Sequence, residues 1–215
     1  GGHRFESCTA HHYKDMDKDQ LRHLYDIKKL SMVDIARKLK VTHAKIYYWF
    51  KKYGIKRRSQ SDSSYVKQNP NGDPFRIKEK LDNKEKELLV SGLMLYCAEG
   101  HRTNKHSVQL ANLDHRILKI FAKFLREICG VHQNKMGLYV QLYRKFDKNT
   151  ARNYWSRGLK IPKTQISICP HTDKRSKIEG QRSKFGIARI QVHNYKLKNW
   201  IDRESKFTLL SLSKV

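Results

Sequence analysis

Residues 92–100 read Gly92-Leu93-Met94-Leu95-Tyr96-Cys97-Ala98-Glu99-Gly100, an apolar run that ends on one carboxylate and a glycine. Upstream, Asp82 is followed three residues later by Glu85, a helix-start pattern, so the spacing predicts a helix over 84–98. The last turns of that helix are apolar on every side. A helix of this kind buries most of its circumference, either in a domain core or against a second copy of itself. Glu99 then follows residues that dehydrate it and sits at the negative end of the helix dipole. Two readings follow. A bound cation relieves both penalties, because a carboxylate beside C-terminal carbonyls makes an oxygen-rich site that Mg²⁺ accepts. Alternatively the helix end frays and Glu99 tips into water.

Downstream of Gly100 the pattern alternates between helix and strand periods. Residues 101–105 read as a tight turn, 106–112 as a strand, and Asp114 as the cap of a helix over 116–129 with Ile117, Leu118, Phe121, Phe124, Leu125 and Ile128 inward. A strand over 135–144 places Met136, Leu138, Val140 and Leu142 on one side and Tyr139, Gln141 and Tyr143 on the other. A short helix over 150–159 carries Tyr154 and Trp155, and a basic loop follows. A strand over 185–193 sets Ala188, Ile190 and Val192 opposite Arg189, Gln191 and His193, and a helix over 195–201 closes the region. Three strands thus share a second face of Gln109, Tyr139, Gln141, Tyr143, Arg189, Gln191 and His193. Planar groups that donate and accept, mixed with aromatics and few acids, suit base edges and phosphates. The plainer alternative is an ordinary solvated sheet face.

Upstream of the motif helix, residues 59–74 are polar with Ser, Asn, Gly and Pro and read as a linker, separating 1–58 from 75–215. Before it, Leu21, Leu24, Tyr25 and Leu30 mark one amphipathic helix, and a second over 32–39 has Val33, Ile35, Ala36 and Leu39 inward. A third, capped by Thr42, runs to about Tyr53, held by Ile46 and Phe50. With Ala36 at a close crossing and Val41 in the turn, this resembles a helix-turn-helix. Thr42, His43, Lys45, Tyr47 and Tyr48 then lie near the face that enters a major groove, and Lys51, Lys52, Lys56, Arg57 and Arg58 are placed to grip phosphates. A basic three-helix bundle with a protein partner is the alternative. Tyr47, Tyr48 and Trp49 cannot all be buried on one helix, so at least one faces out.

Composition agrees with a polyanion partner. The chain of 215 residues has 46 Lys and Arg against 20 Asp and Glu, a formal net charge of +26. Such an excess repels itself unless it faces negative charge, although phosphate attraction alone does not separate DNA from RNA or an anionic membrane. At 38% hydrophobic residues there is material for real cores. No apolar run approaches the roughly 18 residues of a membrane span, and no leader pattern opens the chain, so a cytoplasmic, DNA-associated location is expected, or a nuclear one in a nucleated cell. Cys97 and Cys129 read as core residues. Cys8, His11 and His12 have ligand spacing, as do Cys169 and His171, but two separate half-motifs are not the pattern of a strong zinc site.

The element order opening with GLMLYCAEG resembles the LAGLIDADG homing-endonuclease family over about 75–203, in particular a branch whose motif reads close to G-L-Y-W-x-E-G. Asn112 and Asp114, Cys129-Gly130-Val131 and Tyr154-Trp155 support the resemblance. It implies an α+β protein, an N-terminal all-α helix-turn-helix domain joined to an αββαββα domain with an antiparallel DNA-facing sheet. It also implies paired motif helices packed through Gly92, Leu95, Tyr96 and Ala98. Glu99 would be the catalytic acid and Mg²⁺ ligand, with the Ala98 carbonyl assisting and His193 the nearest positional candidate for a basic group. Because the motif occurs once, the resemblance implies a homodimer on a near-palindromic double-stranded site, with Lys174, Arg175, Lys177, Arg182 and Lys184 clamping the flanking backbone. Some relatives of this fold bind DNA without cutting it and act as regulators. RNA fits less well, since no RNP-like or GXXG signal is present.

Overall fold

The computed structural model describes residues 16–143, 145–171 and 183–214. Backbone contacts divide the chain into two units, 1–72 and 73–215.

In the first unit, Asp17 accepts from the Gln20 amide and starts α1 (Lys18–Arg22), which continues as a widened turn through 27, closed by Lys28 N–H donating to the His23 carbonyl at 2.8 Å. Ser31 and Asp34 form a reciprocal capping box at the start of α2 (Met32–Leu39), and Thr42 caps α3 (His43–Lys52). Between them Lys40 adopts φ 53° and the Val41 amide returns to the Ala36 carbonyl at 3.0 Å, which reverses the chain in three residues. The core gathers Leu21, Leu24, Tyr25, Ile35, Ala36, Ile46, Trp49 and Phe50. Val33, expected inward, is 54% exposed. Because α2 begins at Met32, its inward stripe is Met32, Ile35, Ala36 and Leu39, a helical repeat from which Val33 is rotated away.

The stretch read as a linker is helical in part. Ser59 accepts from the Asp62 amide and starts α4 (Gln60–Gln68), which buries Tyr65. The cap signal Ser59-x-x-Asp62 was present in the sequence, but the polar composition around it masked a helix that docks by a single aromatic.

In the second unit α5 (Asn83–Glu99) starts at the capping box of Asp82 and Glu85. There follow β1 (Ser107–Asn112), α6 (His115–Glu127), β2 (Met136–Tyr143), α7 (Lys148–Leu159), β3 (Ile166–His171), β4 (Ile187–His193) and α8 (Tyr195–Leu212). The strands form one sheet in the order β1-β4-β2-β3. β4 pairs antiparallel with both β1 and β2, whereas β2 and β3 are parallel. The fold is mixed α+β, but the expected antiparallel sheet is corrected to a mixed one. The reason is α7: a helix between β2 and β3 returns the chain to the same end of the sheet, so the second strand must run in the same direction. The expected two strands after the motif helix are also reduced, to β1 and a lone pairing of Gly100 with Leu110.

β3 escaped the sequence reading because Pro170 argues against a central strand. It is an edge strand, where a missing N–H costs little. α8 runs eleven residues past the expected 201, to Leu212. The core lies between the sheet and its helices. From α6 it takes Leu118, Phe121, Phe124 and Leu125, all fully buried, each such side chain contributing about 1.5–3 kcal/mol of transfer free energy. Among the described residues no helix is long and apolar enough to cross a membrane.

Candidate functional site

The strand register places all seven residues of the expected second face on one side of the sheet. Directly paired residues share a face. Gln109 pairs with Gln191, Ala111 with Arg189 and Arg189 with Tyr139, while Ser107 pairs with His193. Gln141 and Tyr143 continue the same side along β2, opposite Cys169 and His171 of β3. None of the four strands contains Asp or Glu.

The face is not uniformly open. Gln109 and Gln191 are buried, at 5% and 7% exposure. The Gln109 amide donates to Ser107 Oγ at 2.7 Å, and the Gln191 amide lies 2.7 Å from His193 Nε2. The two glutamines are therefore engaged within the sheet, where desolvation of an unpaired amide would otherwise be costly. Arg189 lies 5.4 Å over the Tyr139 ring, and its buried Nε has no hydrogen-bond partner. Gln141 and His193 are exposed, and Tyr139, Tyr143 and Arg189 are half-buried. Of the expected backbone clamp, Lys184 is exposed, while Lys174, Arg175, Lys177 and Arg182 lie outside the described residues, as do Cys8, His11 and His12.

On α3, Trp49 and Phe50 face the core, which turns Tyr47 and Tyr48 outward at 45% and 57% exposure. Thr42, His43 and Lys51 are exposed beside them, and Lys45 reaches over the Trp49 ring at 5.2 Å. Arg57 stacks over Tyr47 at 5.0 Å. Arg58 differs. Its guanidinium donates to the carbonyls of Tyr25, Lys29 and Leu30 and lies 3.9 Å over the Tyr25 ring. Both terminal nitrogens of its guanidinium thus donate to the protein's own backbone.

At the motif helix, a Cβ added to Gly92 would sit 2.2 Å from Phe124 Cγ, and Tyr96 stacks on Phe121 with centroids 6.1 Å apart. The close approach that Gly92 permits is thus to α6 of the same chain, and Tyr96 is part of the chain's own core, where burial first and then the nearby Asp202 carboxylate make its hydroxyl hard to ionise. Both were expected at a dimer interface, and both are occupied inside the chain. Leu95 is half-buried, and Ala98 and Glu99 are exposed.

Magnesium asks little of a protein, commonly one or two carboxylates, with water and phosphate oxygens completing the shell. Glu99, open to solvent at the end of α5, fits that demand as one carboxylate per chain. Among the described residues there is no group of three or more His, Cys, Asp or Glu that could hold a metal. A second copy, or bound phosphate, would have to complete the site. Two basic side chains touch the last turns of α5: Arg102, donating to the Cys97 carbonyl, and Lys198. Lys198 is 1% exposed, pairs with Asp202 and lies 5.6 Å from the Tyr96 ring centroid. Sequence reading singled out His193 and passed over both. Lys198 and Asp202 stand four residues apart, but the expected helix ended at 201, before Asp202, and nothing in the spacing signalled burial.

Compared with known proteins, the chain matches no family model, no curated protein and no solved structure.

Proposed function

We propose that the chain is a site-specific double-stranded DNA-binding protein that acts as a homodimeric, Mg²⁺-dependent endonuclease of the LAGLIDADG type. The observation that carries the reading is the sheet face: Tyr139, Gln141, Tyr143, Arg189 and His193 on one side of four strands that hold no acid. Such a face offers hydrogen-bonding edges and positive charge to base edges and phosphates without a repelling carboxylate. The exposed Tyr47, Tyr48 and Lys51 of α3, a helix reached by a short turn from α2, support a second reading element of helix-turn-helix type.

Support for a second copy comes from the open side of α5. Ser91 and Ala98, exposed and two turns apart, are small residues that leave room for another helix, and Val90 beside them is 38% exposed. Pairing there would bring two Glu99 carboxylates together. A divalent ion held by these carboxylates would supply Lewis-acid polarisation and an activated water. In this reading Glu99 would hold the ion with help from the Ala98 carbonyl, and the sheet would set the duplex in register.

One observation favours a second reading, DNA binding without cleavage. Arg102 already places a cation at the C-terminal end of α5, which relieves the unfavourable dipole at Glu99 without any metal. The two readings separate in one experiment. A plasmid library carrying candidate sites is incubated with Mg²⁺ and either the unaltered protein or Glu99→Gln. Cutting by the former alone supports the nuclease. Equal survival of the DNA, with equal and metal-independent binding, rejects the nuclease in favour of a regulator.

A further inference from the structure

Between the 28–31 turn with the start of α2 on one side and α4 on the other lies a groove of about 1040 Å³. Its walls carry Lys28, Lys29, Arg37, Arg57 and Lys67, against one carboxylate, Asp34. That carboxylate is committed locally: it accepts from the Ser31 amide and hydroxyl, at 3.3 and 2.6 Å, and lies 3.5 Å from Arg37. The groove therefore presents a positive field along its length.

Its construction depends on two features that the sequence did not disclose. Arg58 ties the chain after α3 to the carbonyls of Tyr25, Lys29 and Leu30, and α4 then folds as the second wall with Tyr65 buried beneath it. The groove is also joined to α3, because Arg57 lines it and stacks on Tyr47.

We propose that this groove takes the sugar–phosphate backbone of duplex DNA, as a contact additional to that of α3. This rests on the DNA-binding reading above. Lysines strung along an open groove suit an extended polyanion, since each is a point charge with no fixed orientation. A small ligand would call for an enclosed pocket with a few convergent polar groups rather than basic side chains spread along a groove. Continuity with Tyr47 through Arg57 selects the duplex that α3 would read. A contact of this kind adds affinity and salt dependence uniformly, without sequence preference.

The test is a fluorescence-anisotropy titration of the full chain with a labelled mixed-sequence duplex over a range of salt. The groove variant is Lys28→Gln/Lys67→Gln. The control is Lys119→Gln/Lys123→Gln, on the exposed side of α6, with circular-dichroism melts confirming that both variants fold like the unaltered chain. The expected result is a plot of log K against log salt whose slope is shallower by roughly 2 for the groove variant, about 0.9 for each phosphate no longer neutralised, with affinity at least about tenfold weaker near 0.1 M salt. The control keeps the original slope. If the unaltered chain binds duplex and the groove variant retains its slope and affinity, the groove assignment is wrong and DNA binding stands. If the unaltered chain shows no salt-dependent duplex binding, both fall.

Discussion

The guanidinium of Arg58 lies 3.9 Å over the ring of Tyr25, while the Tyr25 hydroxyl accepts from the Arg58 amide at 2.7 Å and the Tyr25 carbonyl accepts from Arg58 Nη2 at 2.8 Å. The two residues hold each other at three points, across 33 positions of sequence. The segment after α3 is thereby fixed to the end of the first helical stretch, and α4 becomes part of the unit.

Arg58→Lys is therefore expected to destabilise the first unit. A lysine keeps the charge but has neither the planar fork that reaches three carbonyls nor the flat face that covers Tyr25. A loss of about 1–3 kcal/mol is expected in denaturant unfolding, from hydrogen bonds to a charged donor that leave carbonyls unpaired. If unfolding is unchanged within error, the tie does not hold the unit together.

Gly92→Ala tests the packing of the motif helix. The added methyl meets the Phe124 side chain at 2.2–2.7 Å, an overpacking that typically costs about 1–3 kcal/mol. Combining it with Phe124→Leu is expected to recover part of the loss, since the clash is with that ring. A double variant no better than the sum of the two singles would place the strain elsewhere.

The start of α6 carries a pH signature. Asp114 is held down to about 2, first by the Arg116 side chain and then by the Arg116 amide that it caps. A carboxylate with a depressed folded-state pKa contributes stability that is complete above its ordinary value near 3.8 and fades as pH falls towards about 2. Acid titration followed by NMR is expected to show Asp114 titrating below the ordinary aspartate value, and Arg116→Gln is expected to raise its midpoint. An unmoved midpoint would remove Arg116 as the cause.

Thiol reactivity separates the cysteines of the second unit. Cys129 is fully buried, and burial pushes its thiol far above the usual range, whereas Cys169 is exposed on the edge strand. Alkylation of the folded protein followed by peptide mass spectrometry is expected to label Cys169 first and Cys129 only on unfolding, because the thiolate is the reactive form. Early labelling at Cys129 would contradict the packing of α6.

Much of this architecture was legible where apolar residues repeat with a helical or strand period. The inward residues of α6 and the alternation of β2 were read correctly, because burial on one face leaves a periodic trace. Face membership of Gln109, Arg189 and Tyr139 followed from the same alternation. What the sequence concealed is carried by residues whose partner is distant. Nothing near Arg58 distinguishes it from Arg57, yet one ties the backbone of its own unit and the other stacks on an exposed tyrosine. The burial of Gln109 and Gln191 depends on neighbours along the sheet, and the burial of Lys198 depends on α5, which lies about a hundred positions away. α4 and β3 lack an apolar period long enough to stand out, the first because it buries one aromatic and the second because Pro170 interrupts it.

The most direct test of the central claim is selection of bound duplexes from a random DNA pool, followed by competition between the selected site and a scrambled one at physiological salt. The account predicts an enriched, near-palindromic site whose advantage over the scrambled duplex shrinks in Arg189→Ala and Tyr139→Ala, while their residual binding keeps its salt dependence. Recovery of no preferred sequence, or an advantage untouched by both substitutions, would contradict the assignment of the sheet as the surface that reads DNA.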